Sequence, residues 1–290
     1  MYKSLRQCLI DASLKKVAIG HFNISDIAAL YAIFDSAREL NLPVIIGVSE
    51  GEREFLGVKQ TASLVRSLRE EYDYPIFINA DHTYSLDGIK KAVEAGFDSV
   101  IFDGAKLSLE DNIIKTKEAV KIARSINPDI LVEAEIGYIG TSSKILDAIP
   151  EGALIDEKSL PTAETAKKFV LETGVDLLAP AVGNIHGMMR NAKEPALHIN
   201  RIVEISGATG LPLVLHGGSG TSDEDFVSAI SAGIRIVHIN TEIRVAWRNG
   251  MELGLESDKN EISPYKLLAF SKTAIKEVVI KRLKLFNGLK

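Results

Sequence analysis

Cysteine is almost missing from this sequence: Cys8 stands alone among 290 residues. A single cysteine excludes an intrachain disulfide framework and fits a reducing compartment, so a cytoplasmic location is expected. A basic excess is missing too. Lys and Arg number 34 against 39 Asp and Glu, for a formal net charge of -5, which leaves no electrostatic footprint for nucleic acid. No apolar run reaches the roughly 18 residues that a membrane-spanning helix needs, so no membrane partner is expected. The opening "MYKSLRQCLIDASLKK" breaks its apolar residues with charge too often for a signal peptide. Linkers, low-complexity tracts and composition shifts are lacking as well. The expectation is one domain over residues 1–290, with 46% hydrophobic residues to fill its core.

What is present is a repeating pattern. Short apolar, β-branched runs recur: VAIGHFN (17–23), PVIIGVS (43–49), IFINADH (76–82), SVIFDG (99–104), LVEAEIG (131–137), LLAPAVG (177–183), LPLVLHG (211–217) and IRIVHIN (234–240). Near-continuous apolar runs suit parallel strands buried on both faces. Between them lie helical patterns such as "DIAALYAIFDSARELN", "TASLVRSLREEY", "SLDGIKKAVEAGF" and "TAETAKKFVLETG". Several stop at Asn41, Gly96 or Gly174, residue types that tolerate the left-handed turn closing a helix. Strand–helix alternation repeated eight times predicts an α/β fold, a single (β/α)8 TIM barrel. The segment after the fifth run, "YIGTSSKILDAIPEGALIDEKSLP", is long for a connection of this kind and reads as a lid or binding loop.

Polar residues gather at one end of these runs: Asn23, Ser49, Asp81 with His82, Asp103, Glu133 and Glu135, Gly183 with His186, His216 to Ser219, and Asn240 with Thr241. In a barrel, the C-terminal strand ends share one mouth, where active sites form. Three of the six histidines, His82, His186 and His216, fall at these ends. A strand-end histidine often only bonds loop backbone, but three at one mouth point to a catalytic zinc site, three neutral imidazoles with an open position. His21 and His238 sit inside strand runs and read as barrel interior, and His198 as a surface residue of a helix. The Gly217–Gly218–Ser219–Gly220 turn and the Asn240–Thr241 pair follow the last two runs, where this fold grips phosphate.

Taken together, "GHFNIS", "PVIIGVSEG", "NADHT", "VEAEIG", "GVDLLAPAVGNIHG", "LPLVLHGGSG" and "INTE", in that order along nearly the whole chain, resemble the class II, metal-dependent ketose-bisphosphate aldolases. The resemblance implies zinc-dependent cleavage of a sugar bisphosphate, fructose 1,6-bisphosphate foremost, into dihydroxyacetone phosphate and an aldehyde. It implies His82, His186 and His216 as zinc ligands, Asp81 as the acid/base acting on the C4 hydroxyl, and Glu135 and Asp103 as holders of a second divalent ion. Gly187, Gly217, Gly218, Ser219, Asn240 and Thr241 match binders of dihydroxyacetone phosphate, and Asn23 and Ser49 match substrate contacts. Gly183 and Gly217 match a monovalent cation site for Na+ or K+, and a homodimer or homotetramer is implied.

Three departures stand out. The loop after the fifth run reads Gly140-Thr141-Ser142-Ser143-Lys144, without the family's usual glutamate that works on the enediolate proton; Asp147 or Glu151 is the nearest carboxylate. Ile236 and His238 stand where many members have Lys and Asn. Ser263-Pro264-Tyr265-Lys266 stands where many have an Asp-Pro-Arg whose Arg reaches a distal phosphate across a subunit boundary, so Lys266 is the candidate for that role, with a plain surface lysine as the alternative. Tagatose 1,6-bisphosphate, which differs only at C4, is an alternative substrate. From other classes, the alternatives are a non-catalytic sugar-phosphate sensor and a barrel metal hydrolase. His21-Phe22-Asn23 lacks the His-x-His of many such hydrolases, and Asp81 with three histidines argues against a mere sensor.

Overall fold

The structure, a computed structural model, describes residues 2–141 and 143–290; Ser142 of the loop departure lies outside them. Eight parallel strands close into a barrel in the order β1-β10-β9-β7-β5-β4-β3-β2. They are β1 (Ile19–Asn23), β2 (Val44–Val48), β3 (Ile76–Thr83), β4 (Ser99–Phe102), β5 (Leu131–Ile136), β7 (Leu177–Pro180), β9 (Leu213–Leu215) and β10 (Ile234–Ile239). Two-residue strands β6 (Ile145–Leu146) and β8 (Met188–Met189) form a small separate ladder. Each of the eight sequence runs coincides with a barrel strand to within a few residues, so the TIM barrel expectation holds.

The surrounding helices are α2 (Ile27–Leu40), α3 (Glu50–Leu56), α4 (Val58–Tyr72), α5 (Leu86–Ala95), α6 (Leu109–Ile126), α7 (Ala163–Thr173), α8 (Ile199–Thr209), α9 (Asp223–Ala232), α10 (Thr241–Ser257) and α11 (Pro264–Phe286), preceded by α1 (Leu5–Lys15). Asn41, Gly96 and Gly174 close α2, α5 and α7 with φ of 53°, 88° and 71°, the left-handed turn expected of them.

The core has two layers. Outward-facing strand residues such as Ile46, Ile78 and Val100 pack with Phe34, Ile33 and Phe169 of the helices. Inward-facing Ile19, Ile45, Phe77, Leu131, Val214 and Ile236 fill the barrel's lower half, and Leu5, Cys8 and Leu9 of α1 plug that end. Each such side chain contributes roughly 1.5–3 kcal/mol on burial. The apolar filling stops partway up the barrel, and the upper half is polar: His21, Asn23, Asp81, Glu133, Glu135, His216 and His238 are all buried. Among the described residues, no helix is long and apolar enough to cross a membrane.

Candidate active site

The upper layer is built around an irregularity in β3. Ala80 pairs with Val100 and Thr83 with Phe102, so β3 carries one residue more than β4 across this stretch. His82 absorbs the extra length with φ 42°. Successive strand residues ordinarily point to opposite faces, but a bulge with a left-handed residue breaks that rule. Both Asp81 and His82 thereby line the barrel mouth. A positive φ at a non-glycine residue costs on the order of 1–3 kcal/mol. Arg53 of α3, itself buried, offsets it: its guanidinium donates to the Asp81 carbonyl at 2.9 Å, to Thr83 Oγ1 at 3.0 Å, and to the Val48 carbonyl.

Three imidazoles then converge. The ring of His82 lies 4.7 Å from that of His186 and 4.9 Å from that of His216. One donor atom from each, with a carboxylate oxygen of Glu135, falls within 4.8 Å of the others. His186 Nε2 and His216 Nδ1 are buried without a hydrogen-bond partner. Buried polar atoms are normally satisfied, so orphan nitrogens aimed at a common point fit a divalent cation. Burial pushes the His186 imidazole well below its ordinary range, with His82 adding to the effect, which keeps it neutral as ligation requires. Burial also opposes charge on His82, but Asp81 and Glu135 outweigh it and hold its pKa well above the usual value. The pocket is thus rich in carboxylate and attracts positive charge.

The carboxylates have distinct parts. Glu133 Oε1 lies 2.7 Å from His216 Nε2, which fixes the ring so that Nδ1 faces the other imidazoles, the usual support of a metal-ligating histidine. Asp103 Oδ2 and Glu135 Oε1 both lie 3.0 Å from His82 Nδ1. Glu135 joins the histidine set, and Asp103 lies against the same nitrogen of His82. Asp81 Oδ2 accepts from Asn23 Nδ2 at 2.8 Å, while Oδ1 faces His238 Nδ1 at 3.5 Å and His82 Nε2 at 3.7 Å. His238 stacks on His21 with ring centroids 3.4 Å apart, so these two lie inside the barrel as their strand positions suggested, and His238 also lines the mouth. His198 differs from its sequence reading. It is half-buried at the start of α8, and its Nε2 meets the Ile155 carbonyl at 3.0 Å.

Beside this set, Gly187, Gly217, Ser219, Asn240 and Thr241 line the same recess at the N-terminus of α10, the arrangement that favours a phosphate. Gly217 has φ 59°, and a Cβ there would stand 2.1 Å from the Ile185 carbonyl oxygen, so only glycine fits between β9 and the His186 loop. The amide of the neighbouring Gly218 donates to the His238 carbonyl at 3.1 Å. Ser49 caps α3 and lines an outer recess with His82, Tyr84 and Thr141.

The long loop after β5 brings Thr141 and Ser143 to the recesses at the mouth. Its β6 pairs with β8, and Ile139 and Lys144 accept from the amides of His186 and Met188 at 2.9 and 3.0 Å. Asp147 stays on its outer surface, 2.8 Å from Arg190 and 79% exposed, away from the mouth where a proton carrier belongs. Lys266 pairs at 2.6 Å with Glu261 on the surface. Sequence reasoning missed Glu52, Arg53 and Arg244. Arg244 lies at the mouth with its Nη2 donating to Glu52 Oε1 at 2.8 Å. A larger cavity of about 580 Å³ opens on the opposite barrel end, where Arg6 bonds to Asp176 and Arg235 to the Ile230 and Ile234 carbonyls.

A parallel barrel with three histidines and buried carboxylates gathered at one mouth fits an aldolase of the metal-dependent kind. Comparison with known proteins agrees. Residues 3–289 match the family described as fructose-bisphosphate aldolase class-II. A fructose-bisphosphate aldolase of Staphylococcus aureus (strain Mu50) is 35% identical over 287 residues, covering 98% of this chain and 96% of that one. The YdjI aldolase of Escherichia coli K12 superposes with a TM-score of 0.82 at 30% identity, over 99% of this chain and 97% of its own. Fructose-bisphosphate aldolase from Campylobacter jejuni, at 19% identity, shares the fold with a TM-score of 0.82. The chain belongs to the class-II fructose-bisphosphate aldolase family.

Proposed function

We propose that this chain is a zinc-dependent aldolase that reversibly cleaves fructose 1,6-bisphosphate to dihydroxyacetone phosphate and glyceraldehyde 3-phosphate, in cytoplasmic glycolysis and gluconeogenesis, as a homodimer or homotetramer. The carrying observation is the meeting of His82, His186, His216 and Glu135 within 4.8 Å of one another, next to Asp81 and the α10 N-terminus. When bound there, a divalent ion supplies Lewis-acid stabilisation of negative charge on substrate oxygens. The protein's own groups do the rest. The α10 N-terminus with Gly217, Ser219 and Thr241 anchors the phosphate of the ketose half and fixes its register. Asp81 takes the C4 hydroxyl proton as the C3–C4 bond breaks and the C4–O bond becomes a carbonyl. Asn23 keeps Asp81 oriented through its 2.8 Å hydrogen bond. The lid over the mouth excludes water while the carbanionic half awaits its proton.

The test is release of dihydroxyacetone phosphate from fructose 1,6-bisphosphate and from tagatose 1,6-bisphosphate, each with and without a chelator. Faster turnover of the fructose sugar, abolished by chelation and restored by zinc, is expected. Full activity after exhaustive chelation would refute the metal-dependent reading, and preference for the tagatose sugar would refute the substrate.

A further inference from the structure

The barrel carries a second irregularity, at the end remote from the mouth. β10 pairs with β9 as Ile234 with Leu213 and Ile236 with Val214, so β10 spends one residue more than its neighbour. Ile234 and Ile236 accordingly pack in different layers, outer and inner, although residues two apart on an unbroken strand share a face. Arg235 is the extra residue. As at His82, a bulge re-aims a side chain. Here that side chain lines the cavity of about 580 Å³ at the lower end of the barrel.

Arg235 is only 9% exposed, yet among the described residues it has no carboxylate partner. Its Nη1 donates to the Ile230 and Ile234 carbonyls at 2.6 and 2.7 Å and so caps the end of α9. Nε and Nη2, the parallel donors along one edge of the guanidinium, bond to no described protein group. Burial pulls the Arg235 pKa below its ordinary value, and no neighbouring charge opposes it. A cation held out of water without a partner is costly. Asp176 is the one carboxylate in the lining, and it already accepts from Arg6 Nη2 at 2.9 Å, Arg124 Nη2 at 3.0 Å and the Val132 amide at 3.0 Å. It is outnumbered by its own arginines and has nothing to spare for Arg235. The remaining wall is largely apolar, with Leu9 and Leu14 of α1 facing Leu131, Leu177 and Leu211.

We propose that this cavity is a second binding site, for an organic carboxylate with an apolar body: the free edge of Arg235 clasps the carboxylate while the body lies against α1 and the lower strand ends. Two parallel N–H donors match the two oxygens of a carboxylate. The volume falls within the range of small-molecule sites, roughly 300–1,000 Å³. Catalysis in this fold takes place at the opposite end of the barrel, so the occupant is distinct from the sugar substrate, and the proposal stands whichever sugar is cleaved.

The experiment uses the full chain purified with zinc, with inorganic phosphate present to fill the cradle at the mouth. The probe is anilinonaphthalene sulfonate, an aromatic anion that brightens in apolar surroundings. It is displaced with phenylpropionate or with the neutral phenylpropanol, which differ only in the head group. Saturable probe binding is expected, with the carboxylate displacing it at a concentration about tenfold or more below that of the alcohol, the worth of a charged hydrogen bond. Arg235→Met should weaken the carboxylate by about the same factor and leave the alcohol nearly unchanged; Arg235→Lys, a charge without the fork, should fall between. Arg235→Met also removes the cap of α9, so Leu14→Glu supplies a second variant. Leu14 is 79% exposed, and a glutamate there keeps the fold while setting a like charge at the rim, which should weaken the carboxylate more than the alcohol. Arg244→Ala, at the mouth, should leave probe binding as it is. Equal displacement by carboxylate and alcohol in the wild type would show that Arg235 only caps α9 and would overturn the proposal, as would the absence of saturable binding. Sedimentation gives the last check: if Leu14→Glu dissociates an oligomer, a second copy of the chain covers this face and the proposal is lost.

Discussion

Replacing Arg53 with methionine probes what holds the β3 bulge, and through it His82 and Asp81. The stem remains while the cation and its hydrogen bonds to the Asp81 carbonyl, Thr83 Oγ1 and the Val48 carbonyl disappear. Bonds from a charged donor contribute about 1.5–3 kcal/mol each, roughly 5–9 kcal/mol gross for the set. Part is recovered because a buried guanidinium is itself costly: burial pulls the Arg53 pKa below its ordinary value against the opposing pull of Asp81. A net loss of about 3–5 kcal/mol is expected, the usual effect of removing one partner from a buried charged network. For a chain of this size that corresponds to a fall in Tm of roughly 6–20 °C. The assay is thermal and urea unfolding of metal-free protein, alongside zinc affinity by chelator competition. Zinc affinity should fall as well, because His82 loses the backbone support for its φ of 42°. Arg53→Lys, which keeps the charge but not the fork, should lie between. A stability loss under about 1 kcal/mol with unchanged zinc affinity would mean that the bulge supports itself and that Arg53 is incidental to it.

Other outcomes follow from the same geometry. His216→Ala should lose both zinc and cleavage, read by metal content after dialysis; a fully loaded variant would remove His216 from the ligand set. Asp81→Asn should keep its zinc while cleavage falls by roughly 10²- to 10⁴-fold, the worth of a positioned acid/base; loss of zinc together with activity would make Asp81 a prop or a ligand. Burial holds His21 neutral, with its pKa pushed down to about 3 against an ordinary 6.5. The unfolded chain therefore binds that proton first, so stability from the neutral ring is complete above about pH 6.5 and declines as pH falls toward about 3. His21→Gln should flatten that decline in acid-unfolding curves, and an unchanged curve would show that His21 does not govern it.

The barrel was legible because its signal is local and repeated. Each run such as IFINADH or LVEAEIG reports its own burial, and Asn41, Gly96 and Gly174 report their own helix ends. The α1 plug was not legible: Leu5 and Leu9 sit among charges, and their burial depends on the open barrel end that they fill. The three histidines could be grouped because each closes a strand and the fold brings strand ends together. The turn that makes this possible at His82 could not be foreseen, since an extended Asp81–His82 pair points to opposite faces. The extra residue becomes visible only when β3 is set against β4. Asp147 is the converse case. Nearness in sequence to the missing loop carboxylate suggests it, but next to the β6–β8 pairing its side chain lies at the surface against Arg190.

Arg244 and Glu52 show where sequence reading stops. They are 192 residues apart, one on α10 and one on α3, and neither belongs to a strand tip. Glu52 reads as an ordinary first-turn glutamate, and it does cap α3 by accepting from Ser49. That role uses only one of its oxygens. Barrel closure places β1 between β2 and β10, so the helices that follow β2 and β10 meet above the end of β1, where Asn23 stands and donates to Glu52 Oε2 at 2.9 Å. The second oxygen of Glu52 is left facing α10, and a buried carboxylate oxygen there demands a donor. Arg244 supplies it while remaining half-open to the mouth. The same closure that gathers the three histidines thus also ties a solvent-facing cation to Asp81, and no spacing within either segment records the connection.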